Sequence, residues 1–159
     1  MEKFKYDLAV IGLGYVGLPL AVEATRSNLK VVGYDTAEDI VNSINNSISL
    51  IEDISQEELS DALGNGFIAS NDDSVLGDAE FVIISVPTPL TDYQPDLQYV
   101  KAAAASIGRN LKDSQVIILE STTYPGTTEE VLVPEIKKQV ENLTGRIELN
   151  WQNPARPMG

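Results

Sequence analysis

Short apolar runs alternate along the chain with segments of helical spacing. Tyr6–Leu13 (YDLAVIGL) reads as a buried strand, and Tyr15–Asn28 as a helix with Val16, Leu20 and Ala24 on one face. Lys30–Tyr34 (KVVGY) is a second strand, followed by a short helix over Ala37–Asn45. Asn45–Asp53 is the longest stretch without a clear pattern. Ser55, with Glu58 three residues later, predicts a capping box for a helix over Gln56–Leu63, which Gly64-Asn65-Gly66 ends. Phe67–Ser70 and Glu80–Val86 (EFVIISV) are further strands. Asp96 is placed to cap a helix over Leu97–Asn110, where Ala102–Ala105 raises helix propensity. Gln115–Leu119 is the last strand and Thr128–Val140 the last helix, with Pro134 as a local defect. No internal repeat or low-complexity segment is found.

Strands that read as continuous apolar runs, each separated by a helix, predict a parallel sheet covered on both faces. Right-handed crossovers make it a doubly wound α/β sheet. The 159 residues form one domain, assigned here to 1–145, with a divergent tail over 146–159. That tail carries no strand or helix signature. It is expected to be loosely ordered, with Trp151 docking on an open sheet edge that otherwise invites self-association.

Composition narrows the chemistry. Hydrophobic residues are 43% and charged residues 22%, an ordinary globular balance. Eleven Lys and Arg against twenty-four Asp and Glu give a net charge of −13, which repels nucleic acid and anionic membranes. The chain contains no Cys and no His, so it offers no thiolate nucleophile and lacks the commonest general base and transition-metal ligand; no metal site is expected. Leu8–Leu13 is too short for a signal peptide core, and glycines follow it instead of a cleavage site, so a cytoplasmic location is expected. The sequons at Asn45 and Asn142 then carry no meaning.

Gly12-Leu13-Gly14-Tyr15-Val16-Gly17 matches G-x-G-x-x-G, follows a strand, opens a helix and precedes a second strand ending in Asp35. Gly12 serves the tight turn, Gly14 the approach of a pyrophosphate, and Gly17 the packing of helix on strand. The amides of Tyr15 and Val16 face the anion, helped by the helix dipole. Asp35 accepts hydrogen bonds from the adenosine ribose and repels a 2′-phosphate. With no Arg in Thr36–Glu38, NAD is expected over NADP. Ligands of such sheets sit at the carboxyl ends of the strands. Two further segments end strands there. One is Ser85-Val86-Pro87-Thr88-Pro89, stiffened by its prolines. The other, Glu120–Thr127, brings Ser121 and Thr122 to the nicotinamide end. Taken singly, each also reads as ordinary turn chemistry.

Gly12–Ala21 (GLGYVGLPLA), Val86–Leu90 (VPTPL) and Glu120–Glu130 (ESTTYPGTTEE) together resemble the UDP-glucose/GDP-mannose dehydrogenase family. The third segment is most similar to its UDP-N-acetylhexosamine branch. The resemblance covers roughly Lys5–Gly145 and implies a Rossmann-type NAD domain. It implies a two-step, NAD-dependent oxidation of a sugar C6 alcohol to a carboxylate. It also implies that Val16, Asp35, Thr88 and Thr122 contact NAD, with Thr122 in a supporting role at the reacting centre. Three departures stand out. Ile40 replaces a cation that the family often carries. After Gly145 the Ser-Pro-Glu segment with its catalytic Glu is missing. The sugar-binding half, with its cysteine nucleophile and assisting Lys and Asn, is missing too. The expectation is a truncated NAD domain, shortened naturally, by a frameshift or artificially, without turnover alone. A nucleotide sugar would bind only if a C-terminal half is supplied. A non-catalytic dinucleotide-sensing module is the rival reading. The NAD domain of a hydroxyacid dehydrogenase is a third, which the two later loops fit less well.

Overall fold

The computed structural model describes residues 3–144, so the expectations for 146–159, Trp151 among them, lie outside the described residues. Five parallel strands form the main sheet: β1 (Tyr6–Ile11), β2 (Val31–Tyr34), β3 (Ile68–Ser70), β4 (Ala79–Ile84) and, last in the chain, β7 (Val116–Leu119). Their order is β3-β2-β1-β4-β7, and the reversal of direction falls between β1 and β4. The doubly wound α/β fold expected from the alternating pattern is present, and its crevice lies outside the carboxyl ends of β1 and β4.

Helices cover both faces. α1 (Gly17–Arg26), α2 (Glu38–Asn45) and α3 (Gln56–Gly64) close one core, with Leu8, Val10, Leu18, Leu59 and Phe67 inside it. α4 (Gln98–Asn110) and α5 (Val133–Thr144) close the other, over Ala9, Val82, Ile84, Ile107 and Ile136. Alternate residues of β1 feed the two clusters, as the two-residue strand period requires. Toward β7 one face is less covered: Phe81, Val116 and Ile118 are exposed, and Phe81 pairs in register with Val116. Among the described residues, no helix is long and apolar enough to cross a membrane.

Several boundaries move for identifiable reasons. The first strand stops at Ile11 because Gly12 turns to φ +90°. The first helix starts at Gly17, leaving Tyr15 and Val16 in the preceding turn. β4 ends at Ile84, so Ser85 and Val86 belong to the loop that leads to Pro87. The last helix opens with a π-helical turn over Thr128–Leu132 and becomes α-helical at Val133. Pro134 has no N–H to give Glu130, so a regular ladder cannot run through this point. Two elements were not expected. One is a 3-10 helix over Asp73–Asp78, entered through an Asp72 carboxylate that accepts the Ser74 amide. The other is a hairpin of β5 (Leu90–Thr91) and β6 (Gln94–Pro95), whose turn places both Asp92 and Tyr93 at positive φ. The capping box of α3 is present. The Asp96 cap expected for α4 is not: the helix starts at Gln98, its cap position is Leu97 with no side-chain cap bond, and Asp96, one residue earlier, accepts the Gln98 amide at 3.0 Å.

Candidate dinucleotide-binding site

The glycine loop is built by steric necessity on two sides. Gly12 combines φ +90° with contact against the chain leaving β4: a Cβ there would lie 2.7 Å from the Ser85 carbonyl oxygen. At Gly17 a Cβ would lie 1.6 Å from the Gly12 carbonyl oxygen, so only glycine lets α1 start this close to β1. Gly14 differs. Its Cβ would meet no atom within 4 Å, and its φ is not in the left-handed region. Neither packing nor backbone conformation requires a glycine at 14, and open space lies over it.

The N-terminus of α1 faces that space unsatisfied. The Gly14, Tyr15 and Val16 amides have no backbone acceptor among the described residues. No side chain caps the helix, and its first turn holds no acid. Tyr15 and Val16 are 76% and 58% exposed. Amides at a helix start, a positive dipole end and a missing Cβ together fit a phosphate group. The residues present therefore fit the NAD pyrophosphate.

Asp35 sits beside the loop, partly buried. One carboxylate oxygen accepts the Leu13 amide at 2.9 Å and the other accepts the Ala37 amide at 3.0 Å. The carboxylate is thus fixed in place, and each oxygen keeps a lone pair for a ribose hydroxyl.

The two later loops are stitched to one another. Thr88 Oγ1 donates to the Thr122 carbonyl at 2.5 Å, and Ser121 Oγ donates to the Val86 carbonyl at 2.8 Å. The Glu120 and Ser121 amides both donate to the Ile84 carbonyl. Ser85 Oγ is buried with no hydrogen-bond partner, and its amide donates to Ile11 at the end of β1. The structure therefore gathers Gly12, Gly14, Tyr15, Val16, Gly17, Asp35, Ser85, Val86, Pro87, Thr88, Ser121 and Thr122 at the carboxyl ends of β1, β2, β4 and β7. Thr88 and Ser121 use their hydroxyl protons inside the protein, a role not anticipated from the sequence.

The model of the UDP-glucose/GDP-mannose dehydrogenase family, NAD binding domain, matches residues 6–156. The chain belongs to this family. Among curated relatives it is 40% identical over 128 residues to the UDP-N-acetyl-D-glucosamine 6-dehydrogenase of Salmonella typhi, covering 80% of this chain and 29% of that protein. It is 38% identical over 126 residues to the UDP-N-acetyl-D-mannosamine dehydrogenase of Escherichia coli K12, covering 78% and 30%. The chain therefore spans about 30% of the length of these relatives. A solved UDP-D-ManNAc dehydrogenase from Pyrococcus horikoshii superposes with a TM-score of 0.76 at 35% identity, over 89% of this chain and 33% of that one. The chain thus carries the NAD-binding domain of the family. Ile40 packs half-buried against the core under α1–α3.

One residue of the site was not anticipated. Leu13, the variable position between the first two glycines, supplies the amide that holds Asp35. Nothing local in the sequence pairs positions 13 and 35. The one available signal was the glycine inside the second strand, which often marks a close backbone approach.

Proposed function

We propose that this chain is the dinucleotide-binding half of a nucleotide-sugar 6-dehydrogenase of the UDP-N-acetylhexosamine type. NAD, when bound, supplies the hydride acceptor for oxidation of the sugar C6 alcohol. The chain's own residues bind and orient it. The amides before α1 take the pyrophosphate, and Asp35 takes the adenosine ribose. Val16 lies against the dinucleotide. Thr88 lies beside the pyrophosphate, and Thr122 borders the nicotinamide in a supporting role at the reacting centre. The nucleotide sugar and the covalent steps need a further domain, and the chain alone is without turnover. Its compartment is the cytoplasm, in keeping with an NAD-linked activity.

The observation that carries this reading is the uncapped, acid-free start of α1 under open space at Gly14, with a pinned carboxylate beside it. Isothermal titration tests it: NAD binds, and NADP binds markedly more weakly because Asp35 repels the 2′-phosphate. Equal affinity for the two would overturn the assignment of Asp35. Turnover is tested by NADH absorbance with UDP-N-acetylglucosamine and UDP-N-acetylmannosamine; steady production by the chain alone would overturn the reading that a further domain is needed. Self-association belongs to the same reading. Among the described residues β7 is an outer strand, with Val116 and Ile118 exposed on it. Light scattering that finds only monomer over a wide concentration range would overturn that part.

A further inference from the structure

Resting on that reading, we propose that Leu13 is the positioning residue of the dinucleotide loop, and that Gly33 sets NAD affinity without touching NAD. Leu13 is 2% exposed, whereas the next three residues of the loop face solvent. Its side chain lies over Gly33 in the middle of β2. A Cβ on Gly33 would sit 2.7 and 2.8 Å from the two Leu13 methyl carbons and 3.2 Å from Phe67 Cε2. Phe67 is fully buried, so the socket has a rigid wall. Gly33 is not in the left-handed region, and glycine inside a strand weakens it. Only the space it leaves for Leu13 accounts for it here.

The backbone is tied at the same place. The Gly12 amide donates to the Tyr34 carbonyl at 2.9 Å, and the Leu13 amide donates to Asp35. Asp35 is in turn held by the Ala37 amide and through its own amide on the Ser70 carbonyl. Leu13 is thus fixed by its side chain on Gly33 in β2 and by its N–H on Asp35, the residue just past the end of that strand. The amides of Gly14, Tyr15 and Val16 follow directly in the chain, so lifting Leu13 off Gly33 displaces the groups that must meet the phosphates.

The test is NAD titration of Gly33→Ala, at a temperature where circular dichroism shows the variant folded. Affinity should fall about tenfold or more, as expected when one added carbon overfills a packed socket. Exchange of the Leu13 amide should be slow in the parent, where it is bonded to Asp35, and fast in the variant. In a Leu13→Ala background the same Gly33→Ala change should alter affinity less than about twofold, because the methyl groups it strikes are gone. Ile107→Val, in the opposite core, should lower the melting temperature and leave affinity within about twofold. If Gly33→Ala does not fold, Leu13→Ala alone carries the test and should weaken NAD several-fold. Unchanged affinity in the folded single variant, or an equal loss in the Leu13→Ala background, overturns the proposal. An equal loss in Ile107→Val does so too. A parent chain that binds no NAD overturns the functional reading together with this inference, whereas a parent that binds while Gly33→Ala binds equally well overturns only the inference.

Discussion

Two helices of the same core begin in opposite ways. At α3, Ser55 Oγ accepts the Glu58 amide at 3.1 Å and a Glu58 carboxylate oxygen accepts the Ser55 amide at 2.9 Å. Two acids, Glu57 and Glu58, complete its first turn. At α1 the cap position is Val16, no side chain bonds back, and the first turn holds no acid. A missing cap costs a helix about 1 kcal/mol. The contrast teaches that α1 leaves its end open, as the proposed anion site requires, while α3 completes its end from its own sequence.

The contrast breaks most severely at Gly17. Gly17→Ala drives a Cβ into the Gly12 carbonyl, and backbone on both sides cannot yield. A loss of about 3 kcal/mol or more is expected in urea denaturation, with NAD binding abolished. Gly14→Ala is the matched comparison. It should keep stability within about 0.5 kcal/mol, because no protein atom lies within 4 Å of the added carbon, and still lose NAD, because the proposed phosphate site lies over that position. An unchanged urea midpoint for the first, or unchanged NAD affinity for the second, defeats the account of the loop.

Val16→Asp gives α1 the negative charge that α3 already has. It should raise stability by about 0.5 kcal/mol through the helix dipole. It should weaken NAD about tenfold by placing a carboxylate at the proposed pyrophosphate site. A variant that binds NAD as the parent does would place the phosphates elsewhere. Ser55→Ala removes the α3 cap. The expected loss is about 1 kcal/mol in thermal or urea unfolding, with NAD affinity unchanged. The smallest effect is acid sensitivity. The Ser55 amide, ahead of the Ser55 hydroxyl, holds the Glu58 carboxyl below its ordinary value of 4.5. Because the folded-state value is the lower one, Glu58 stabilises α3 above 4.5, and the stabilisation fades as pH falls through the lower value. Glu58→Gln should therefore flatten the fall in melting temperature on acidification below 4.5; a slope equal to the parent's would remove Glu58 from the explanation.

What the sequence disclosed and what it hid divides along the range of the contacts. Ser55 and Glu58 are three residues apart, and the glycine loop has fixed spacing, so both were legible. The parallel sheet followed from apolar runs with helices between them. The β5–β6 hairpin was not legible, because its turn uses Asp92 and Tyr93 at positive φ, where glycine or asparagine would have announced it. The pairing of Leu13 with Asp35 and Gly33, and of Thr88 with Thr122, joins residues far apart in the chain. No local pattern encodes such pairs; they arise only once β1, β2, β4 and β7 lie side by side. Likewise, the hydroxyls of Thr88 and Ser121 read as ligand contacts in sequence, yet each donates to the neighbouring loop.

That stitching gives the binding edge a donor and acceptor pattern. A hydroxyl has one proton, and Thr88 and Ser121 have each committed theirs to a carbonyl, so both hydroxyls offer only lone pairs to a ligand. At the start of α1 the reverse holds: the Gly14, Tyr15 and Val16 amides are uncommitted and can only donate. Asp35, on the far side of those amides, again offers only lone pairs. A ligand group that reaches Thr88, Ser121 or Asp35 must therefore bring a hydrogen, and one that reaches the start of α1 must accept. The two hydroxyls select donors because their own protons are spent holding the protein together.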